Sequence, residues 1–250
     1  MILNILLYAL LIICLFICAI VMYFALIWIY LLAASLFVSM KKEYKKPSRF
    51  WYKNYILAIK TICLQCKVHI HADGLEKLPE NTHFMFVSNH RSNFDNIVQG
   101  VVLKKEHIAF VSKPENFKIP LARKYIWRNM FLPIERNNVR ESAKTIIKAV
   151  NYLKDDYFSI GIFPEGTRSK DCTLLPFKPG CFKIAEKSGH PIVVCAIKGT
   201  ENIHKNFPWK KTDVYCSIVE VISPEQIKTM NTIEISDRVR NLINAKLEAN

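Results

Sequence analysis

Two segments carry side chains whose types and spacing can do chemistry. Asn89-His90-Arg91-Ser92-Asn93-Phe94-Asp95 sets an imidazole five residues before a carboxylate, and Phe163-Pro164-Glu165-Gly166-Thr167-Arg168-Ser169 sets a guanidinium two residues after a glycine. An imidazole can take a proton near neutral pH, and a carboxylate bonded to one ring nitrogen fixes the tautomer and leaves the other nitrogen as the base. On an ideal helix five residues turn through about 500°, which leaves His90 and Asp95 about 140° apart. The segment must therefore bend. A strand ending at Ser88 or Asn89 and a helix starting near Ser92 would put His90 in the connecting loop and Asp95 in the first helical turn. The spacing Ser92-x-x-Asp95 also fits a capping box, in which Asp95 only satisfies the helix amino terminus. In the second segment, the planar fork of Arg168 matches phosphate oxygens two at a time. Gly166 lacks a Cβ, so nearby backbone N–H groups can approach an anion.

The elements that position these groups begin with a membrane segment. Residues 1–40 contain no charged residue, no glycine and no proline. As one helix this stretch would be about 60 Å long, about twice the hydrocarbon thickness of a bilayer. It either tilts and projects or folds back as a hairpin, with Ala33-Ala34-Ser35 the place for a bend. A cleaved signal peptide is disfavoured, because the front lacks positive charge and the apolar stretch is too long. Lys41, Lys42, Lys45, Lys46 and Arg49 follow directly, and the positive-inside rule keeps such a cluster, and the body after it, on the cytoplasmic side. Pro47 and Ser48 open a second helix over residues 49–66, whose Trp51, Tyr52 and Tyr55 suit either the membrane interface or packing against the domain.

Beyond Lys67, short apolar runs alternate with longer periodic segments, the signature of an α/β domain. Strands are expected at 67–72, 83–88, 107–112, 131–135, 157–163, 192–197 and 214–221. Helices are expected at 140–154, at 181–187 with Gly189 as the residue that ends it, and from Ser236 to the end. The chain thus divides into a membrane-embedded segment (1–40), a basic interfacial linker helix (41–66) and a catalytic domain (67–250).

Composition narrows the partners. The formal net charge of +14 calls for an anion, and the apolar amino terminus favours lipid headgroups or phosphorylated lipid substrates over nucleic acid. No zinc-finger spacing, RNA-binding aromatic signature or coiled-coil basic region supports nucleic acid. The eight cysteines form no dense framework and read as reduced thiols. Cys63-Leu64-Gln65-Cys66 has redox or zinc spacing but no second pair to complete a tetrahedral set, so no metal site is expected. His69, His71, His83, His107, His190 and His204 have no motif context and read as structural or surface residues.

The two opening segments, in this order and at this separation, resemble the glycerolipid acyltransferase family, the lysophosphatidic acid acyltransferase-like enzymes, over roughly residues 69–200. The resemblance implies an α/β fold with a mixed sheet flanked by helices, and it assigns roles. His90 would be the general base on an acceptor hydroxyl, with Asp95 orienting it. Glu165, Gly166, Thr167 and Arg168 would form an acceptor-binding block, in which Glu165 holds an Arg or a hydroxyl or makes a structural ion pair. Phe131-Leu132-Pro133-Ile134-Glu135-Arg136 resembles the family's other acceptor block, with Arg136 on phosphate, although Met130 stands where many members have Gly. Otherwise Arg136 is one more surface cation. Lys113 matches a family lysine loosely, and Pro191-Ile192-Val193-Val194 resembles a terminal block that shapes the acyl pocket. The absence of a Ser or Cys nucleophile in a recognised motif fits direct attack without a covalent intermediate. The implied reaction moves an acyl group from acyl-CoA or acyl carrier protein to the sn-2 hydroxyl of lysophosphatidic acid at the membrane, with no cofactor. Another lysolipid, glycerol 3-phosphate, or a catalytically silent lipid-binding protein are the competing readings.

Overall fold

A computed structural model describes residues 1–249. Helix α1 (Ile2–Ser35) is one unbroken helix, so the chain makes no hairpin there. Its length and composition suffice to cross a membrane. Residues 2–23 are exposed almost throughout, and at about 1.5 Å per residue they span about 33 Å, close to the hydrocarbon thickness. The last turns dock on the domain. Leu31 and Ser35 are buried, Tyr125 Oη donates to the Leu31 carbonyl at 2.7 Å, and Lys124 Nζ donates to the Ser35 carbonyl at 2.9 Å. A cation on the orphan carbonyls of a helix carboxyl terminus is favourable for both. Helix α2 (Arg49–Gln65) is joined to α1 by Trp28 Nε1, which donates to Gln65 Oε1 at 3.1 Å. Tyr52 and Tyr55 of α2 are buried in the core, so packing rather than the interface explains them.

Among the described residues, seven strands form one mixed sheet. They are β1 (Val68–Asp73), β2 (Met85–Ser88), β3 (Ile108–Ser112), β4 (Leu132–Pro133), β5 (Ser159–Ile162), β6 (Ile192–Lys198) and β7 (Thr212–Ile222). Their spatial order is β1-β7-β6-β2-β5-β3-β4. β6 and β7 pair antiparallel; the other pairs among the described residues are parallel. The central β2 and β5 are buried along their whole length, which is why they read as continuous apolar runs rather than alternating ones. The run expected at 131–135 shortens to two residues. Pro133 has no N–H to give, and the pairing ends where Ile134 N donates to the Ser112 carbonyl at 2.9 Å.

Further helices are α3 (Asp95–Val102), α4 (Ala122–Arg128), α5 (Val139–Lys154), α6 (Lys183–Ser188), α7 (Ile203–Asn206), α8 (Pro224–Lys228) and α9 (Thr232–Glu248). The closing helix starts four residues before the expected Ser236. Asn231 accepts from the Ile233 and Glu234 backbones, and Glu234 accepts from Asn231 N, a complete capping box. α6 stops at Gly189, whose φ of 72° is left-handed.

Gly161 in β5 has a packing reason of its own: a Cβ there would lie 2.5 Å from two ring carbons of Phe110. Phe110 is a rigid core side chain, so Gly161→Ala is expected to overpack the sheet and cost about 1–3 kcal/mol. Thermal unfolding of the detergent-solubilised protein reads this as a lower Tm, and an unchanged or higher Tm would contradict the packing argument.

Candidate active site

The parallel strands β6, β2, β5, β3 and β4 end on one edge of the sheet, where open α/β sheets hold their ligands. Thr200 follows β6, His90 follows β2, residues 165–168 follow β5, Lys113 follows β3 and Arg136 follows β4. The main chain leaves the sheet at Asn89, whose amide takes over the ladder: Nδ2 donates to the Ile197 carbonyl at 2.9 Å and Oδ1 accepts from Ile197 N at 2.8 Å. The next residue, His90, is thereby turned off the end of β2.

Asp95 lies in the first turn of α3 and is fully buried. Its Oδ2 accepts from His90 Nδ1 at 2.7 Å and from the backbones of Arg91 and Ser92 at 2.7 and 2.8 Å. Its Oδ1 accepts from Thr200 Oγ1 at 2.5 Å. The carboxylate thus does both jobs left open by the sequence, bonding the loop backbone and the imidazole together. Ser92 does not complete a capping box, because its Oγ accepts from Phe94 N instead. With Nδ1 committed to Asp95, the lone pair sits on Nε2, the nitrogen free to act as a base. The imidazole also stacks on Phe163, with centroids 4.2 Å apart and planes 14° apart, and Phe163 stacks in turn on Phe110.

The second segment grips the first. Glu165 Oε1 accepts from His90 N at 2.6 Å and Oε2 accepts from Leu175 N at 3.0 Å, while Ser169 N donates to the His90 carbonyl at 2.9 Å. Glu165 therefore bonds backbone N–H groups rather than an Arg or a hydroxyl. It is absent from the cavity wall, as is Gly166. The Gly166 N–H is also spent, on the Phe163 carbonyl at 3.0 Å. Its φ of 70° closes that turn, which accounts for the glycine without an anion.

His90, Lys113, Arg136, Thr167 and Arg168 line one cavity of about 700 Å³. Its remaining wall is largely apolar, with Ala58, Ile59 and Ile62 from α2, Ile97 from α3, Ile126 from α4 and Trp28 from α1. Among the described residues, Lys113, Arg136 and Arg168 are in no ion pair. Burial pulls the Arg136 guanidinium down, the charge of Glu115 opposes it, and arginine stays cationic. Arg91 is held away by Glu201 at 3.3 Å. Met130 has a φ of 60°, a left-handed conformation that glycine adopts without strain. The 191–194 block contributes Ile192, Val193 and Val194 to the core of β6, and none of these residues lines the cavity. Cys63 and Cys66 are free thiols at the end of α2, and burial pushes the Cys63 thiol up to about 12. His107 is stacked against Tyr52 and burial lowers it to about 4, a structural role.

Sequence reasoning assigned no role to Asn89 or Phe163 within the two segments, and it missed Thr200 altogether. Thr200 stands 105 residues from its carboxylate partner, and nothing local marks it.

A base with an oriented ring, set among unpaired cations in a half-apolar cavity, suits proton abstraction from a hydroxyl on an anionic amphiphile. The chain belongs to the acyltransferase family: the family model described as Acyltransferase matches residues 69–198. It is 35% identical over 118 residues to the 1-acyl-sn-glycerol-3-phosphate acyltransferase of Escherichia coli (strain K12), covering 47% of this chain and 48% of that one. It is 36% identical over 131 residues to the chloroplastic 1-acyl-sn-glycerol-3-phosphate acyltransferase BAT2 of Brassica napus, covering 52% of this chain and 37% of that one. The alignments thus span about half the length or less of these curated relatives. The fold is similar to the crystal structure of the 1-acyl-sn-glycerophosphate (LPA) acyltransferase PlsC from Thermotoga maritima, with a TM-score of 0.65 and 25% identity, covering 91% of this chain and 93% of that one.

Burial pushes the Glu165 carboxyl up to about 7 from its ordinary 4.5, against the two N–H donors that favour its charge. The folded state holds this proton more tightly than the unfolded chain does, so the stability contributed by this carboxyl falls as pH rises from 4.5 towards about 7. Glu165→Gln cannot titrate. The stability advantage of wild type over Glu165→Gln, from denaturation in detergent, is expected to shrink across that window; a difference that rises with pH would refute the sign.

Proposed function

We propose that the chain is a 1-acyl-sn-glycerol-3-phosphate acyltransferase. It moves an acyl group from the thioester of acyl-CoA or acyl carrier protein to the sn-2 hydroxyl of lysophosphatidic acid, giving phosphatidic acid. One observation carries the reading: the base His90 and the cations Lys113, Arg136 and Arg168 share a cavity whose remaining lining is largely apolar and includes Trp28 of α1. Lysophosphatidic acid has the same division, with a phosphomonoester at one end and a hydrocarbon chain at the other.

In the proposed reaction His90 Nε2 takes the proton of the acceptor hydroxyl as its oxygen attacks the thioester carbonyl. Asp95, bonded to Nδ1 at 2.7 Å, stabilises the imidazolium that forms. The new C–O bond replaces the C–S bond, and the imidazolium returns its proton to the departing thiolate. Arg136 and Arg168 hold the phosphate, Lys113 adds charge at the same wall, and Thr167 lines the pocket beside Arg168. Glu165 and Gly166 act by shaping the loop. No cofactor takes part. Helix α1 tethers the domain to the bilayer in which the acceptor resides, and the basic cluster after it supports a cytoplasmic placement.

Purified protein in detergent or vesicles, given labelled acyl-CoA or acyl carrier protein and a panel of lysolipids, is expected to form labelled phosphatidic acid from lysophosphatidic acid. Turnover only with a zwitterionic lysolipid, or none with any, would overturn the assignment. Arg168→Ala is expected to raise the KM for lysophosphatidic acid while that for the acyl donor holds. His90→Ala should lose about 10²- to 10⁴-fold in turnover. Thr200→Val leaves a buried carboxylate one donor short, so turnover should fall by about tenfold to a hundredfold, with Thr200→Ser restoring it. Wild-type rates in both His90→Ala and Thr200→Val would remove the proposed base.

A further inference from the structure

The edge strand β1 carries a His-x-His pair that the cavity does not use. His69 and His71 stand two residues apart in a strand, so both side chains emerge on one face. The parallel register sets His69 opposite Asp213 and His71 opposite Tyr215 of β7. The His71 ring stacks on Tyr215 with centroids 4.8 Å apart, which restrains its rotation. Both imidazoles approach the same carboxylate oxygen: His71 Nε2 lies 2.9 Å and His69 Nδ1 3.8 Å from Asp213 Oδ1. The other oxygen of Asp213 is 3.6 Å from Lys211 Nζ, so the lysine leaves Oδ1 to the histidines. The candidate donor atoms of these three residues all lie within 4.8 Å of one another.

We propose that His69, His71 and Asp213 bind one late first-row divalent cation of the zinc type, joining the outermost strand to its neighbour. Bonds of about 2.0–2.2 Å place two donors on one such ion no more than about 4.4 Å apart. The observed spread therefore closes by a small rotation of exposed side chains, of which His69 is 70% exposed. Two imidazole nitrogens and one carboxylate oxygen suit zinc, nickel or copper, whereas magnesium and calcium demand oxygen ligands. Water completes the coordination, so the ion is held at the surface, and it displaces the proton now shared between His71 and Asp213. Because the ligands come from two strands, the ion binds the paired sheet in preference to the unfolded chain and stabilises it by mass action. The histidines lacked motif context in sequence because their third partner is 142 residues from His71.

The test uses the full chain in detergent micelles, with any purification tag removed and the protein treated with chelator. Zn²⁺ is then added and followed by calorimetric titration and thermal unfolding. The expected result is one Zn²⁺ per chain and a Tm that rises with Zn²⁺ but not with Mg²⁺. His69→Ala combined with His71→Ala should weaken Zn²⁺ binding by at least about tenfold and abolish the Tm rise. Asp213→Asn, which leaves both rings in place, should separately weaken it. Acyl transfer without zinc should persist in all of these variants, which keeps failure of this site distinct from failure of the proposed activity. The proposal is overturned if wild type takes up no Zn²⁺. It is equally overturned if the variants bind as tightly as wild type, the outcome expected were the Cys63 and Cys66 thiols to hold the ion.

Discussion

The backbone of His90 is clasped from both sides by a segment 75 residues away. Glu165 accepts its N–H, and Ser169 donates to its carbonyl. A loop residue at the end of a strand ordinarily has water on its main chain and freedom in its side chain. Here both main-chain groups are spent on fixed partners, and the ring is pinned between Asp95 and Phe163. The remaining nitrogen faces one direction. The burial of Glu165 makes those bonds obligatory, since a buried polar group left without a partner costs several kcal/mol.

That clasp exists because of the sheet. β2 and β5 are parallel neighbours, so their carboxyl ends and the loops that follow them emerge together. β6 lies on the other side of β2, which delivers Thr200 to Asp95 from behind. A parallel arrangement costs long crossover connections, here the helices α3 and α5, but it brings three sequence-distant loops to one edge. The polar network it creates is satisfied where it matters: three donors to Asp95 come from the loop after β2 and the fourth, Thr200, from the segment after β6. Its leftovers are peripheral. Among the described residues, Arg91 Nε and Gln99 Oε1 are buried without a hydrogen-bond partner, one beside the Arg91–Glu201 pair and the other beside the Gln99 bond to Ser88.

The sequence disclosed the groups whose meaning is local. The apolar run of α1, the succession of strands and helices and Gly189 at a helix end all follow from short-range physics, and each lies close to its expected position. The bend that brings His90 to Asp95 was also legible, because helical geometry forbids their meeting otherwise. What could not be read is what the crossovers decide. Glu165 looked like a ligand or an ion-pair partner because a carboxylate beside an arginine usually is one. Only the adjacency of β2 and β5 shows that its partners are backbone amides. The helix α4 was invisible, since residues 122–128 make only about two turns, too few to show a helical period, and its value lies in Lys124 and Tyr125 reaching α1. The hydrophobic 192–194 run looked the same whether it lined a pocket or filled a core, and its place in the middle of the sheet makes it core.

The docking of α1 fixes the cavity relative to a helix long and apolar enough to cross a membrane. Three bonds join the helix base to the domain: Trp28 to Gln65, Tyr125 to the Leu31 carbonyl and Lys124 to the Ser35 carbonyl. Trp28 also lines the cavity, so the wall of the pocket and the base of the membrane helix are one surface. A flexible tether would hold the domain near lipid without fixing its orientation. A docked one holds the apolar lining from α2 and α4 beside α1, a helix long and apolar enough to cross a membrane. An amphiphile could then enter chain first along α1 without exposing its hydrocarbon to water, at about 0.8 kcal/mol saved per methylene. Its phosphate would meet the three unpaired cations only at the strand ends. On the proposed reading, the acceptor's hydroxyl, between chain and phosphate, would lie towards His90.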